Sequence, residues 1–550
     1  MSTVVRDDPL GELNGAVRTA AKAVRGGAGE PVGEIKLERP KRDRQGDYST
    51  NAAMLLAPVL RAAPKVIAER LAAELQALLG DGLERFEVAG PGFLNLFLSD
   101  AWHRRALAAI LERGERFGAG AADPVQRVLV EFVSANPTGP LVAASGRHAA
   151  YGDALARILE HHGHAVSREY YFNDAGSQIR LLGESVRARA RHEPVPDGGY
   201  QGDYVAALAS EIPDAAQAGV EQIARRAVEL LLASIERTLE RYGVHFDTFF
   251  SERQLHDGSP SELERALSLL DQAGHLYRSG GAVWLRTTTF GDDKDRVVVR
   301  SNGEPTYLAA DLSYMMDKRE RGFERQLSPM GADHHAYARE LKAAMAALGG
   351  DADTIEVPII QFVHLIDGGE RAAMSKRRGD FITLDDLLDE IGVDATRFFM
   401  LQRSHDRTLD LDLELARQQS PENPVYYVQY AHARIASMLR RLSADRLATA
   451  LSPAGDWGED RLHSSERDLV KKLAAFPDEV AEAAQRRAPH RIAIYAHELA
   501  QQFTAFYRDC KVVGASPETA ESFRVALSKA SQTMIALSLG LLGVSSPESM

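Results

Sequence analysis

The stretch that decides the fold begins Val128-Leu129-Val130-Glu131-Phe132-Val133 and continues Ser134-Ala135-Asn136-Pro137-Thr138-Gly139-Pro140-Leu141. The first six residues are an apolar run of strand length. The next eight carry two prolines and a glycine, which no helix interior tolerates. From Ser145 a periodic segment follows, with Tyr151, Leu155, Ile158 and Leu159 at helical spacing and Gly163 where a helix stops. The reading is strand, tight loop, helix. In an open parallel sheet such a unit holds ligand beyond the carboxyl end of its strand. The free amides at the start of the helix favour phosphate.

The chain has 550 residues, enough for several domains, and its 45% hydrophobic and 26% charged content is ordinary for a globular protein. No apolar run is long enough to span a bilayer, and the N-terminus has no signal-peptide core. The one cysteine, Cys510, excludes an intrachain disulfide and a cysteine-cluster zinc site. A cytoplasmic soluble protein is expected. The net charge of −13 argues against indiscriminate coating of nucleic acid. It leaves room for local basic surfaces that dock one folded RNA, such as Lys36/Arg39/Lys41/Arg42/Arg44, Lys376/Arg377/Arg378, Arg440/Arg441 and Arg486/Arg487/Arg491.

Residues 1–110 read as a separate α/β domain. An amphipathic helix over 9–25 is followed by a Gly/Pro-rich break, and strand-like alternation leads into Phe93-Leu94-Asn95-Leu96-Phe97-Leu98. Phe93 and Phe97 are either core residues of that strand or exposed aromatics able to hold an unstacked base. After a Gly/Ala/Pro linker, a Rossmann-like parallel-sheet domain is expected over 120–405. Ala165 to Phe172 is its second strand and Asn173 to Gly176 the turn after it. An insertion is expected at about 185–290, and Val283–Leu285 with Arg296–Arg300 reads as a hairpin around Asp292-Asp293. That acidic pair reads as a turn and not a metal site, because further ligands at loop spacing are missing. Ile359 to Ile366 is another apolar strand. Residues 406–550 read as a helical bundle. The fold class is multidomain α/β plus all-α.

The phrase Glu131 to Leu141 followed by Gly146-Arg147 closely resembles the signature of arginyl-tRNA synthetases, a class I aminoacyl-tRNA synthetase family. The resemblance extends in order along the chain: Gly46 to Asn51 and Pro91 to Leu98, Glu169 to Gly176, Thr306 to Asp311, Gly331 to His335, Ala373 to Gly379, and Asp386 to Ser404. There are two departures. The family usually continues after Leu141 with His-x-Gly-His, where this chain has Val142-Ala143-Ala144-Ser145. The mobile Lys-Met-Ser-Lys loop has Ala373 in place of its first lysine and keeps Lys376.

The resemblance implies an arginine–tRNA ligase. ATP and L-arginine form arginyl-adenylate, and the terminal ribose of tRNA(Arg) takes the arginyl group through its 2′-hydroxyl, with bound tRNA needed for the first step. The partners are tRNA(Arg), L-arginine and ATP, with neither DNA nor membrane. Mg²⁺ is expected with ATP as the substrate complex, with no metal cage and no tightly bound cofactor. A planar, permanently charged guanidinium calls for carboxylates and hydroxyls. Glu131 and Asp311 are therefore expected to converge on it, with Tyr307 one helical turn from Asp311 and Asn136 and Gln361 as polar contacts. Glu131 has the other reading of a strand carboxylate paired with a structural arginine.

For ATP the resemblance implies Pro137, Gly139, Gly146, Arg147, Asp333, His335, Met374, Ser375 and Lys376. Ser145 as helix cap, His148 three residues on, and Lys376 are the expected catalytic phosphate contacts, replacing the missing imidazoles; His148 is otherwise a surface helix residue. His334 beside His335 reads equally well as a loop histidine. Phe93 and Asn95 in the first domain, and Tyr426 and Tyr430 in the last, are the expected tRNA contacts, with Tyr427 and Trp457 as further stacking candidates. A catalytically silent relative that binds tRNA or senses arginine is the alternative function.

Overall fold

The computed structural model describes residues 8–40, 45–334, 336–371, 381–452 and 456–550. The expected roles of His335, Met374, Ser375 and Lys376, and of the basic residues Lys41, Arg42, Arg44, Arg377 and Arg378, lie outside these.

The chain opens on the helix Pro9–Arg25, whose cap is Asp8: its carboxylate accepts the amides of Leu10 and Gly11 at 3.1 and 2.8 Å. An antiparallel sheet follows in the spatial order Leu37–Glu38, Tyr48–Thr50, Phe93–Leu98, Leu83–Ala89. Leu94, Leu96 and Leu98 turn inward onto the helices, as period-two alternation requires.

The second layer is a parallel sheet in the order Ile355–Glu356, Arg325–Leu327, Arg127–Glu131, Ala165–Phe172, Thr248–Ser251. The helix Ser145–His162 crosses one face of it. It lies close because Gly152 has no side chain: a Cβ there would stand 2.1 Å from Cγ of Phe132. Two expected boundaries are corrected. The insertion expected at 185–290 does not run unbroken, since Thr248–Ser251 pairs in parallel with Ala165–Phe172 as an edge of the central sheet. Its Phe249 and Phe250 turn to opposite faces, the first stacked on Tyr170 and the second buried with Tyr314. The helical region expected from 406 begins later, since Leu409–Asp412 pairs in parallel with Val363–Asp367. Its leucines are buried and its aspartates exposed, the alternation of a half-covered strand.

The insertion contributes the helices Ser177–Ala190, Asp203–Glu211 and Val220–Arg241 before that edge strand. After it comes a small antiparallel sheet of Leu276–Ser279, Ala282–Leu285 and Arg296–Val299. The remainder is the expected bundle, from Pro424–Leu439 to Glu518–Leu541.

Ion pairs join the parts. Lys471 of the bundle bonds Asp47 at 2.8 Å and Arg467 bonds Asp100 at 2.7 Å, both in the first domain. Arg487 bonds Glu356 of the central sheet at 2.8 Å. At the centre, Arg397 is 0% exposed. It donates to the carbonyls of Leu542 at 2.9 Å and Tyr242 at 3.0 Å and to the carboxylate of Asp153 on the helix Ser145–His162.

Candidate active site

The strand Arg127–Glu131 ends in a backbone that few side chains accept: Val133 has φ 66° and Ser134 φ 40°. Such residues persist only where their surroundings hold them. Here the Ser134 hydroxyl donates to Glu131 at 3.2 Å and accepts the Tyr171 amide at 3.1 Å. The Tyr170 hydroxyl donates to the Ala135 carbonyl at 2.8 Å, and Tyr204, from the insertion, to the Thr138 carbonyl at 3.0 Å. The Asn136 amide reaches Gln178 at 3.2 Å. Farther on, Val142 bridges to Thr383, and Leu384 donates to the Leu141 carbonyl at 2.8 Å. The chain that emerges from residues 372–380 therefore returns alongside the signature loop.

Asn136 and Tyr307 open onto one cleft of about 260 Å³, together with Glu252, His256 and Thr306. Tyr307 stands at its mouth, 67% exposed, at the first position of the helix Tyr307–Glu320. One turn along that helix, half-buried Asp311 accepts the hydroxyl of Tyr337. Loss of solvation pushes the Asp311 carboxyl up to about 7, opposed by the Tyr337 hydrogen bond and reinforced by the negative charges of Glu131 and Glu252. Asp311 thus titrates in the neutral range. Glu252 is held by the Tyr171 hydroxyl at 2.7 Å.

Glu131, expected to converge with Asp311 on a guanidinium, is engaged within the free chain. Glu131 lies close enough for its charge to raise Asp311, but its oxygens are in use. One accepts Lys318 at 2.7 Å and Ser328 at 3.1 Å, the other Ser134 at 3.2 Å. Lys318 is itself buried and sits 3.8 Å over the Tyr314 ring. A strand carboxylate in low dielectric needs a cation, and the chain supplies its own: a lysine, not the arginine anticipated. Sequence reasoning missed Glu252, Tyr337 and Lys318. Lys318 had a usable signal, two helical turns from Asp311 along the Tyr307 face. Glu252 was hidden because the strand just before it, Thr248–Ser251, was read as insertion.

On the other side of the loop the expected helix cap is displaced. The helix starts at Ser145 with Ala144 at the cap, so Ser145 is the first helical residue and His148 the fourth. The amides of Ser145, Gly146 and Arg147 bond the carbonyls of Val142, Ala143 and Ala144 at 2.8, 3.0 and 3.2 Å, which takes them from any phosphate. Gly146 and Arg147 are likewise corrected as ATP contacts. A Cβ on Gly146 would meet Leu384 at 2.9 Å. The buried Arg147 guanidinium donates to the carbonyls of Gln361 at 2.8 Å and Ser404 at 3.0 Å. Pro137 and Gly139 are buried, Gly139 lying against the Tyr204 ring. Gln361 spends its backbone on Arg147 and His405.

His148 does face the loop Gly331–His334. Its ring is hydrogen-bonded to the Pro329 carbonyl and feels the charges of Asp333 and His334. Burial, reinforced by Arg147, lowers its pKa to about 4, so the imidazole is neutral at physiological pH. Asp333 is exposed and pairs with His334 at 3.6 Å.

In the first domain Phe93 is 38% exposed, whereas Asn95 is 5% exposed, between its cross-strand partners Ser49 and Glu87. Asn95 is therefore corrected from an RNA contact to a covered sheet residue. Phe97 is covered by the Arg85 guanidinium at 3.4 Å. In the bundle Tyr426 and Tyr430 stack at 6.1 Å and 11°, with Tyr430 exposed. Trp457 is buried and bonds the Ala450 carbonyl at 3.0 Å, and Tyr427 bonds Thr504 at 3.2 Å. Trp457 thus packs within the bundle, while Tyr427 is partly buried.

Residues 11–98 match the arginyl tRNA synthetase N terminal domain, 202–435 the catalytic domain of tRNA synthetases class I (R), and 428–550 the DALR anticodon binding domain. The arginine–tRNA ligase of Bacillus subtilis is 42% identical over 94% of this chain and 95% of its own length. The chain belongs to the arginyl-tRNA synthetase family. The arginine–tRNA ligase of Frankia alni is 45% identical over 94% of this chain and 95% of its own. The solved arginyl-tRNA synthetase of Thermus thermophilus superposes with a TM-score of 0.75 at 25% identity, covering 98% of this chain and 99% of that one. The enzyme is an arginine–tRNA ligase, an ATP-using class I synthetase with an anticodon-binding domain. Among the described residues no helix is long and apolar enough to cross a membrane.

Proposed function

We propose that Asp311, Glu252 and Tyr307 read the guanidinium of L-arginine and that Asn136 contacts the amino-acid end. The arginine carboxylate attacks the α-phosphate of ATP and pyrophosphate leaves. The terminal ribose hydroxyl of tRNA(Arg) then attacks the adenylate carbonyl and AMP leaves. His148, Asp333, His335 and the Lys376 loop attend the nucleotide, whose phosphates carry Mg²⁺ as part of the substrate. The neutral His148 has one N–H, held by the Pro329 carbonyl in the free enzyme; to donate to the nucleotide the ring gives up that carbonyl. Such donors act by alignment and by charge stabilisation at phosphorus. Glu131 acts through Lys318 and Ser134, holding the strained loop. Phe93 meets the tRNA in the first domain, and Tyr426 and Tyr430 meet it at the anticodon. The setting is the cytoplasm.

The observation carrying this reading is that Glu252, Tyr307 and Asn136 open onto one cleft with Asp311 a turn behind its mouth. The test is charging of tRNA(Arg) with labelled arginine, together with arginine-dependent ATP–pyrophosphate exchange in the presence of tRNA. His148→Ala is expected to lower exchange by ~10²-fold, the usual loss for one donor to developing charge; undiminished exchange removes His148 from this role. One observation favours a second reading: neither Val142 nor Ser145 carries an imidazole. Folded protein that binds tRNA(Arg) without charging it would favour the alternative of a catalytically silent relative that binds tRNA.

A further inference from the structure

Arg487 lies in the turn between the bundle helices Phe476–Gln485 and His490–Asp509, and its backbone is left-handed, with φ 53°. A residue with a Cβ keeps that conformation only where its surroundings hold it. Here they hold it on both sides. Nε and Nη2 meet the two carboxylate oxygens of Glu356, each at 2.8 Å, and Nη1 donates to the Ala484 carbonyl. The Arg487 carbonyl accepts the Tyr151 hydroxyl at 2.7 Å.

The two ends of this clamp lead to one place. Tyr151 stands three residues past His148 on the helix Ser145–His162, a spacing that puts both on one face, about 4.5 Å apart along the axis. Glu356 flanks the chain that leads to Pro329: it is the cross-strand partner of Leu327, and its carbonyl accepts the Ser328 amide at 2.9 Å. The Pro329 carbonyl is the one that holds the His148 ring. One residue of the bundle thus grips, through its main chain, the helix that carries His148 and, through its side chain, the strand that carries the acceptor of His148.

Docking of the bundle does not depend on this grip alone. Arg397 ties the same helix to the end of the bundle through Asp153 and the Leu542 carbonyl. Tyr151 is buried and neither it nor Arg487 lines the cleft, so neither is placed to touch substrate.

We propose that Arg487 is a positioning residue for the reaction: by pinning Tyr151 and Glu356 at a fixed separation it sets where the His148 imidazole rests against Pro329. This rests on the nucleotide role given to His148 above. The imidazole leaves Pro329 to reach the nucleotide, so the place it starts from decides how well it is aligned. The charged groups the ring feels are Arg147 on its own helix and Asp333 and His334 on the facing loop.

Two variants open one jaw each and suit the fold. Arg487→Asn accepts the left-handed backbone and drops Glu356; Tyr151→Phe keeps the ring and drops the Arg487 carbonyl. Each is expected to lower kcat of arginine-dependent exchange, with tRNA present, by ~10- to ~10²-fold, the loss that a misplacement of about 1 Å brings, and to leave the arginine and ATP KM in place. In a His148→Ala background Arg487→Asn should cost nothing further. The independent readout is the His148 imidazole itself, followed by NMR in histidine-labelled protein and assigned by its absence from His148→Ala. Buried against Pro329, it should not titrate between about pH 5 and 8; in either variant water reaches it, and its midpoint should move up toward the ordinary 6.5. A resonance that stays unmoved in both folded variants overturns the proposal, as does a full further loss of kcat from Arg487→Asn when His148 is already gone. A raised KM at constant kcat would show a merely architectural role and also overturn it. Glu356→Gln opens the first jaw from the sheet side and takes the place of a variant that misfolds. Undiminished exchange in His148→Ala beside a moved resonance would count against the nucleotide role of His148, not against the clamp.

Discussion

Lowering the pH from 8 to 6 should cost this enzyme about tenfold in kcat/KM for arginine, through Asp311 alone. Its carboxyl titrates at about 7 in the free enzyme, raised by lost solvation and by the neighbouring charges of Glu131 and Glu252. The substrate guanidinium keeps its charge throughout this range, so binding requires the carboxylate. A group with pKa near 7 is about 90% ionised at pH 8 and about 10% at pH 6, and apparent affinity scales with the competent fraction. The sign is that of a raised acid: specificity for arginine is full above the folded pKa and lost as pH falls through it. His148, with its pKa near 4, stays neutral across the window and adds no slope. The assay is ATP–pyrophosphate exchange with tRNA and ATP saturating and arginine limiting, since kcat/KM reports the free enzyme. Two variants sharpen it. Asp311→Asn should lose about 3 kcal/mol of binding at pH 8, roughly 100-fold, and show a flat profile. Tyr337→Phe removes the hydrogen bond that opposes the rise, so the midpoint should move to higher pH. A flat profile in the unaltered enzyme, or an unchanged slope in Asp311→Asn, would refute the assignment.

Three further outcomes follow from the same geometry. Glu252→Gln should lower kcat/KM for arginine by about 2–3 kcal/mol while kcat at saturating arginine changes little, read from the same exchange assay. Lys318→Met strands the Glu131 carboxylate and should destabilise the fold by about 3–5 kcal/mol in thermal or urea melts. Adding Glu131→Gln should recover most of that, because the penalty lies in the unpaired charge. Gly152→Ala places a methyl against the Phe132 ring, where 2.1 Å is available; a loss of about 3 kcal/mol or more in the same melts is expected, with the helix Ser145–His162 pushed off the sheet.

The framework was legible wherever a pattern ran long enough to have a period. The second strand, Ala165–Phe172, and the opening helix Pro9–Arg25 fall where apolar spacing puts them. The edge strand Thr248–Ser251 did not, because four residues between helices are too short to show alternation. The site was legible in kind but not in assignment. The family phrases point to an acidic, tyrosine-bearing site, and the carboxylate that lines the cleft beside Tyr307 is Glu252. Glu131 spends its charge on Lys318, a pairing across 187 residues that no local pattern announces. Arg147 and Gly146 sit in a phosphate-like motif, and tertiary packing turns both inward, one to backbone carbonyls and one to Leu384.

The buried Arg397 guanidinium has a consequence for how the molecule assembles. Its partners belong to three distant parts of the chain, and Leu542 follows Arg397 by 145 residues. While the polypeptide is being made, that cation lacks its Leu542 acceptor, and the Asp153 carboxylate it relies on is shared with Arg157 and Arg168. The nucleotide layer and the anticodon bundle should therefore melt in one transition, and a nascent chain halted before Leu542 should remain open to protease at the helix Ser145–His162.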